Sequence, residues 1–346
     1  MRTRFSTVRS LAVALAGLAL GSPAMAQDYP ELSIRMAHFV PSTAANAEWE
    51  QWWVDQVQER SGGKISVKIF WAGSMGGPKE ILTLTGSGAL QLGTTAQGYF
   101  GSEMPVASAG SFFRVHETPA DAIDSWQKWQ EDPAVKEDLA RIGVINLYHQ
   151  GSNPYRLFCT KSVTTVDDLK GLRVRTVGAP YWADYFIKLG IVPVTIPFSE
   201  MYGALQKGTV DCSFSAHEQA VAGKFYEVAK YAIDLSFGAH PIWGTFVNAD
   251  YFASLPDTVQ SLLLEVSADL MEAQAEQAAK DAKELVDTRF GELGVTYVHF
   301  ENPEKVDELA GSMIDMWVDD MAAQGRSDVT DRLAPILREK QARFAD

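Results

Sequence analysis

Cysteine is nearly absent, with two residues, Cys159 and Cys212, in a chain of 346. That excludes a scaffold held by many disulfides and any cysteine-rich metal cluster. In an oxidising compartment the two can pair with each other, or they can stand as two buried small residues; the sequence leaves both open. The six histidines, His38, His116, His149, His217, His240 and His299, form no H-x-x-x-H pair, and none stands near a cysteine in metal-ligand spacing. Each reads as a surface or satisfied core residue. A Gly-x-Ser-x-Gly elbow and a phosphate-binding Walker loop are both missing. Gly86-Ser87-Gly88 lacks a third glycine and follows a helix-like segment, so it is a poor dinucleotide fingerprint. The carboxylate pairs Asp167-Asp168 and Asp319-Asp320 lie in polar surroundings and read as caps or solvated faces. Neither a catalytic constellation nor a cofactor or metal site is visible.

Positive charge is also scarce. Thirty Lys and Arg face 44 Asp and Glu, for a net charge of −14. Nucleic acid and anionic lipid need a positive face, so neither is an expected partner. Long apolar runs are lacking too, with one short exception at the start. Arg2, Arg4 and Arg9 precede the run Leu11 to Leu20, and Ala24-Met25-Ala26 closes it with small residues. A run of about ten residues is half the roughly twenty that span a bilayer, and the pattern is that of a cleaved secretory signal ending at Ala26. Its removal leaves 346 − 26 = 320 residues and, with three arginines gone, a charge of −14 − 3 = −17. The expected location is the periplasm, without membrane insertion.

The mature part is long enough for two cores. Leu32-Ser33-Ile34-Arg35-Met36-Ala37 alternates as a strand, and a helix follows with Trp49, Trp52, Trp53 and Val57 on one side. Ser61-Gly62-Gly63 breaks it, and Ile65, Val67 and Ile69 alternate again. Val144–Leu147, Leu172–Arg175 and Val192–Ile196 are further strands, so the fold class is α/β. After Leu255-Pro256, with Asp257 as the expected N-cap, no proline or glycine interrupts until Gly291. A helix of about 33 residues would be roughly 50 Å long. That is longer than one lobe is wide, so it reads as a strut across two; a coiled coil is the alternative, but its heptad pattern decays at Glu272 to Ala275. With no linker between them, two lobes require the chain to cross more than once.

One basic residue stands out by position. If Leu172–Thr176 is a strand, Arg175 lies near its carboxyl end, before Thr176-Val177-Gly178-Ala179-Pro180. Ligands of open α/β sheets bind beyond such ends, and a guanidinium fork matches a carboxylate in bidentate fashion. The competing reading is a surface arginine paired with an aspartate.

The segment Asp168-Leu169-Lys170-Gly171-Leu172-Arg173-Val174-Arg175, then Leu189-Gly190, Pro193 and Pro197 through Asp211, resembles the DctP-type binding proteins of tripartite ATP-independent periplasmic (TRAP) transporters. Glu59–Ile65, Gly73–Gly76 and Gly88–Gly93 match in order upstream. The resemblance implies a two-lobe periplasmic binding protein fold with crossing strands and a long helix spanning both lobes. It implies capture of a small organic anion by hinge closure and delivery to TRAP membrane permease subunits. The expected lobes are 27–150 with about 236–275, and 151–235 with about 285–346. The family's carboxylate-binding arginine falls on Arg175, and a second, less universal one on Arg156. Where members usually carry Gly after Val-Asp, this chain has Cys212, followed by Ser213-Phe214-Ser215. Val177 replaces a common proline. The aromatic residues Phe39, Trp71, Tyr99, Trp182 and Trp243, near expected loops, favour a flat or partly apolar acid. Gln97 and Ser215 complete the candidate ligand-side set. Rival expectations are a cationic or zwitterionic ligand with Glu218 or Glu103 as counter-charge, a ligand-sensing partner of a receptor, and an enzyme on the same scaffold.

Overall fold

The computed structural model describes residues 28–179 and 181–345. Residues 1–26, expected from the sequence to be a signal peptide, lie outside the described residues, as does Pro180. Two sheets form the frame. The first takes β1 (Leu32–His38), β2 (Ile65–Phe70), β3 (Leu92–Thr95), β4 (Val144–Gly151) and, much later in the chain, β10 (Pro241–Asn248), in the order β2-β1-β3-β10-β4. The second takes β5 (Arg156–Cys159), β6 (Arg173–Thr176), β7 (Val192–Thr195), β8 (Cys212–Ser215), β9 (Tyr231–Ile233) and β11 (Thr296–Val298), in the order β11-β9-β5-β8-β6-β7. β1, β2 and β3 run parallel, as the helical crossovers between them require, and β10 is antiparallel to both neighbours. The chain passes between the sheets at Gly151–Arg156, returns at Ile233–Pro241, and crosses again along the long helix. All five strands read from the alternation are present.

The long helix runs Asp257–Glu284 and continues through a widened turn, Leu285–Arg289, to Glu292. Asp257 is its first residue, not its cap; Pro256 holds the cap position and offers no side-chain hydrogen bond. Its apolar face, Val259, Leu262, Leu263, Val266 and Leu270, is buried in the first lobe's core with Trp53 and Val57. This is the burial that decides between strut and coiled coil. Further along, the buried Gln274 clamps the first crossing: Gly151 N donates to its Oε1 (2.9 Å) and its Nε2 donates to Gly151 O (2.8 Å).

The C-terminal helix Ser327–Ala345, expected with the second lobe, is held instead to the helices Pro119–Gln130 and Pro133–Ile142 of the first. Lys340 Nζ lies 2.9 Å from Asp121 and 2.8 Å from Asp124, and Arg332 Nε lies 2.7 Å from the N-capping Asp132. The cysteines are bonded to each other, joining β5 to β8 at directly opposed positions. One apolar cluster, including Phe113, Tyr155, Trp182, Phe214, Phe237 and Trp243, runs continuously from lobe to lobe beneath the crossings.

Candidate functional site

A cavity of about 70 Å³ lies between the lobes. The first lobe contributes Phe39, Val40, Ala44, Gly98, Tyr99 and Ser111; the second contributes Tyr155, Arg175, Val177, Trp182, Phe198 and Gln219; the returning segment adds His240, and the strand that it leads into adds Pro241, Ile242 and Trp243. Among the lining residues, Arg175 alone is charged.

Arg175 sits on β6 one residue before its end and is only 3% exposed. Its Nε donates to Ile196 O at 2.9 Å, and that is its side chain's one hydrogen bond among the described residues. No carboxylate among them lies within ion-pair distance. Burial pulls its pKa below the ordinary arginine range, against the partial compensation of the nearby phenols of Tyr99 and Tyr155. A guanidinium does not shed its proton in a protein, so a buried positive charge faces the cavity without a counter-ion. Arg173, two residues earlier, makes the ion pair that the competing reading assigns to Arg175, with Asp211 at 2.7 Å.

The aromatic wall is held by hydrogen bonds made behind it. Trp182 Nε1 donates to Ser111 O at 2.7 Å, spanning the two lobes. Trp243 Nε1 donates to the fully buried carboxylate of Glu50 at 3.2 Å, and Gln150 Nε2 donates to the same oxygen at 2.9 Å. The edges of Trp243 and Tyr99 meet Phe39 at 5.7 and 6.3 Å. Tyr155 Oη accepts from Gln219 Nε2 at 3.0 Å, and burial pushes its pKa up to about 12.

Of the expected residues, Arg175, Phe39, Tyr99, Trp182 and Trp243 meet in this cavity. Arg156, Trp71, Gln97 and Ser215 are not among its lining residues. Arg156 is displaced by strand alternation. Leu157 and Cys159 face the interlobe core with Tyr155, so Arg156 and Phe158 face the opposite side. There Arg156 donates to Asp234 O, and its charge reinforces burial in pushing His217 down. Ser215 pairs with Arg156 across the ladder and shares its face. Trp71 packs on His38, 4.9 Å away, behind Phe39. Gln97 is buried with its Nε2 unpartnered. Tyr155, Gln219 and His240 were missed; Tyr155 was findable, because it neighbours the chosen Arg156 and alternation offers only one of them to the cleft.

The proposed counter-charges are elsewhere. Glu218 accepts from Asn153 at 3.1 and 3.3 Å in a separate opening lined also by Glu48, Asp281 and Glu284. Glu103 is engaged by Ser102 at 2.6 Å and by Lys79. No group of His, Cys, Asp or Glu among the described residues is placed to hold a metal ion. No helix among them is long and apolar enough to cross a membrane.

Two sheets, repeated crossings of the chain and a lined cavity between them define a two-lobe solute-binding protein. The sequence matches the DctP family, described as bacterial extracellular solute-binding protein, family 7, over residues 36–316, and the chain belongs to that family. Family members are periplasmic substrate-binding proteins rather than enzymes, and those of TRAP transporters work with membrane permease subunits. Relatives include the ectoine-binding periplasmic protein TeaA of Halomonas elongata, 23% identical over 80% of this chain and 82% of its own length. The 2,3-diketo-L-gulonate-binding periplasmic protein YiaO of Escherichia coli is 24% identical over 77% and 81%. A crystal structure of DctP7, a Bordetella pertussis extracytoplasmic solute receptor binding pyroglutamic acid, superposes with a TM-score of 0.78 at 19% identity, covering 88% of this chain and 99% of that one. A Sulfitobacter TRAP solute-binding protein with bound β-D-galacturonate gives 0.74 at 17%, covering 89% and 99%.

Proposed function

We propose that this protein captures a small organic acid bearing a single negative charge, closes its lobes on it, and presents it to a TRAP permease. The observation that carries this is Arg175, buried, positive and without a protein counter-ion in the cavity wall. Burying an unpaired charge costs several kcal/mol, a cost that folding tolerates where a ligand later pairs it. The remaining lining residues are uncharged. A second carboxylate on the ligand would find no cation, and an ammonium group would find no anion. Apolar and aromatic walls then supply the contact area. The ligands of the relatives named above, pyroglutamic acid, galacturonate and 2,3-diketo-L-gulonate, are carboxylic acids and agree with this reading. The positive group of the zwitterionic ectoine bound by TeaA would meet no anion in this cavity.

Calorimetry of the mature protein against a panel of small carboxylic acids tests it. Arg175→Ala is expected to weaken binding of any acid that the wild type takes by about 3–5 kcal/mol, the range for removing one member of a buried pair. This is a hundredfold or more in Kd. Affinity unchanged by the substitution defeats the assignment.

A further inference from the structure

Besides Arg175, the cavity has a second polar feature. His240, on the segment that returns the chain to the first lobe, is 1% exposed, and neither of its ring nitrogens has a hydrogen-bond partner. Burial, helped by nearby His116, pushes its pKa down to about 3, so the ring is neutral near pH 7, with one N–H and one bare nitrogen. An idle buried donor or acceptor is costly and calls for an explanation.

The ring meets Tyr155 edge-on at 4.9 Å and Trp182 at 5.5 Å. Tyr155 Oη accepts from Gln219, but its own hydroxyl proton has no acceptor among the described residues. Gln219 Oε1 is already engaged by Ala216 N at 3.4 Å. Two adjoining rings in the wall of one cavity thus each hold an unspent donor. Tyr155 also feels the charge of Arg175, so this corner adjoins the guanidinium. Across from it, Phe39, Val40, Ala44 and Ile242 present carbon, and the Trp243 indole N–H is spent on Glu50.

We infer that the cavity selects a compact carboxylic acid carrying a neutral hydrogen-bonding group close to its carboxylate, and that Tyr155 and His240 are the residues that recognise that group. This rests on Arg175 as the carboxylate anchor. Hydroxy, oxo and lactam acids belong to the class. Plain alkyl acids, which leave both donors idle, bind more weakly, as do amino acids, whose ammonium meets no anion. The cavity is small, about 70 Å³, which keeps the class compact.

A matched pair of five-membered-ring acids tests this. Pyroglutamate and cyclopentanecarboxylate share the carboxylate and ring size, and only pyroglutamate carries an amide. Calorimetry is run on the wild type, Tyr155→Phe, His240→Phe and Arg175→Ala. The wild type is expected to prefer pyroglutamate by tenfold or more. Tyr155→Phe, which removes a single oxygen and carries the test alone if His240→Phe misfolds, reduces that preference several-fold; His240→Phe reduces it further. Equal wild-type affinity for both acids, no binding of either, or a preference unchanged in Tyr155→Phe overturns the inference. Arg175→Ala separates the two claims: full affinity retained there sinks the anchor, while the ratio between the acids reports on the polar corner.

Discussion

His38, His116, His149, His217 and His240 are buried, and His299 alone of the histidines is exposed. The sequence reading took the buried ones as satisfied; instead each has at least one ring nitrogen without a hydrogen-bond partner. Burial pushes His116 down to about 4 and His217 and His240 to about 3, and holds His149 well below its ordinary value. In the unfolded chain these groups titrate near 6.5. Below that pH the unfolded state takes up protons that the folded state refuses, so acid favours unfolding, by about 1.4 kcal/mol per pH unit for each such histidine. Asp121, Asp124 and Asp132, held low by their cation partners, extend the loss below about pH 4; Glu218, raised by burial, opposes it. The melting temperature is therefore expected to fall steadily from pH 6.5 to 4, and a flat profile there contradicts the buried, neutral histidines. Residue identity alone hides such burial. Glu50, a carboxylate on the first helix, is likewise fully buried and holds Trp243 in the cavity wall.

At the scale of elements, the pairing left open by two isolated cysteines is decided by register. β5 and β8 come together with Cys159 opposite Cys212, both at 0% exposure. The bond closes a sequence separation of 53 residues that contains β6, β7 and Arg175. For a loop of that length the unfolded chain loses entropy worth about 4 kcal/mol. The double substitution Cys159→Ala with Cys212→Ala is expected to lower unfolding free energy by that order in denaturant titration; a loss under about 1 kcal/mol would show that the bridge constrains little. The long helix was legible because twenty-eight residues without a breaker have few other fates. Its run to about Gly291 was legible for the same reason; the widened turn Leu285–Arg289 within that run was not, since it depends on what the last turns pack against.

For the whole molecule, the two lobes meet at the cavity's rim. A Cβ placed on Gly98 would come within 3.2 Å of the Ala179 side chain and 3.5 Å of Val177, residues of the opposite lobe. That approach leaves little room for a larger residue when the lobes shut, and hinge closure is the expected response to ligand. Small-angle scattering should show a smaller radius of gyration once a bound acid is present. Gly98→Leu should prop the rim open and weaken binding about tenfold. Identical scattering with and without bound acid would remove closure from the mechanism.

The amino-acid order by itself determined the α/β class, the five strands marked by alternation, the strut helix and the position of Arg175, because periodicity, breakers and strand ends are local properties of the chain. Which residues share a cavity was decided only when the lobes came together. Tyr155 faces it and Arg156 does not, since alternation says that neighbours diverge but not which one faces inward. Trp243 arrives on a strand that returns after about ninety residues to lie beside β4, and His240 on the residue just before that strand. Long-range pairing of that kind is set by the burial of whole faces, which no local pattern encodes.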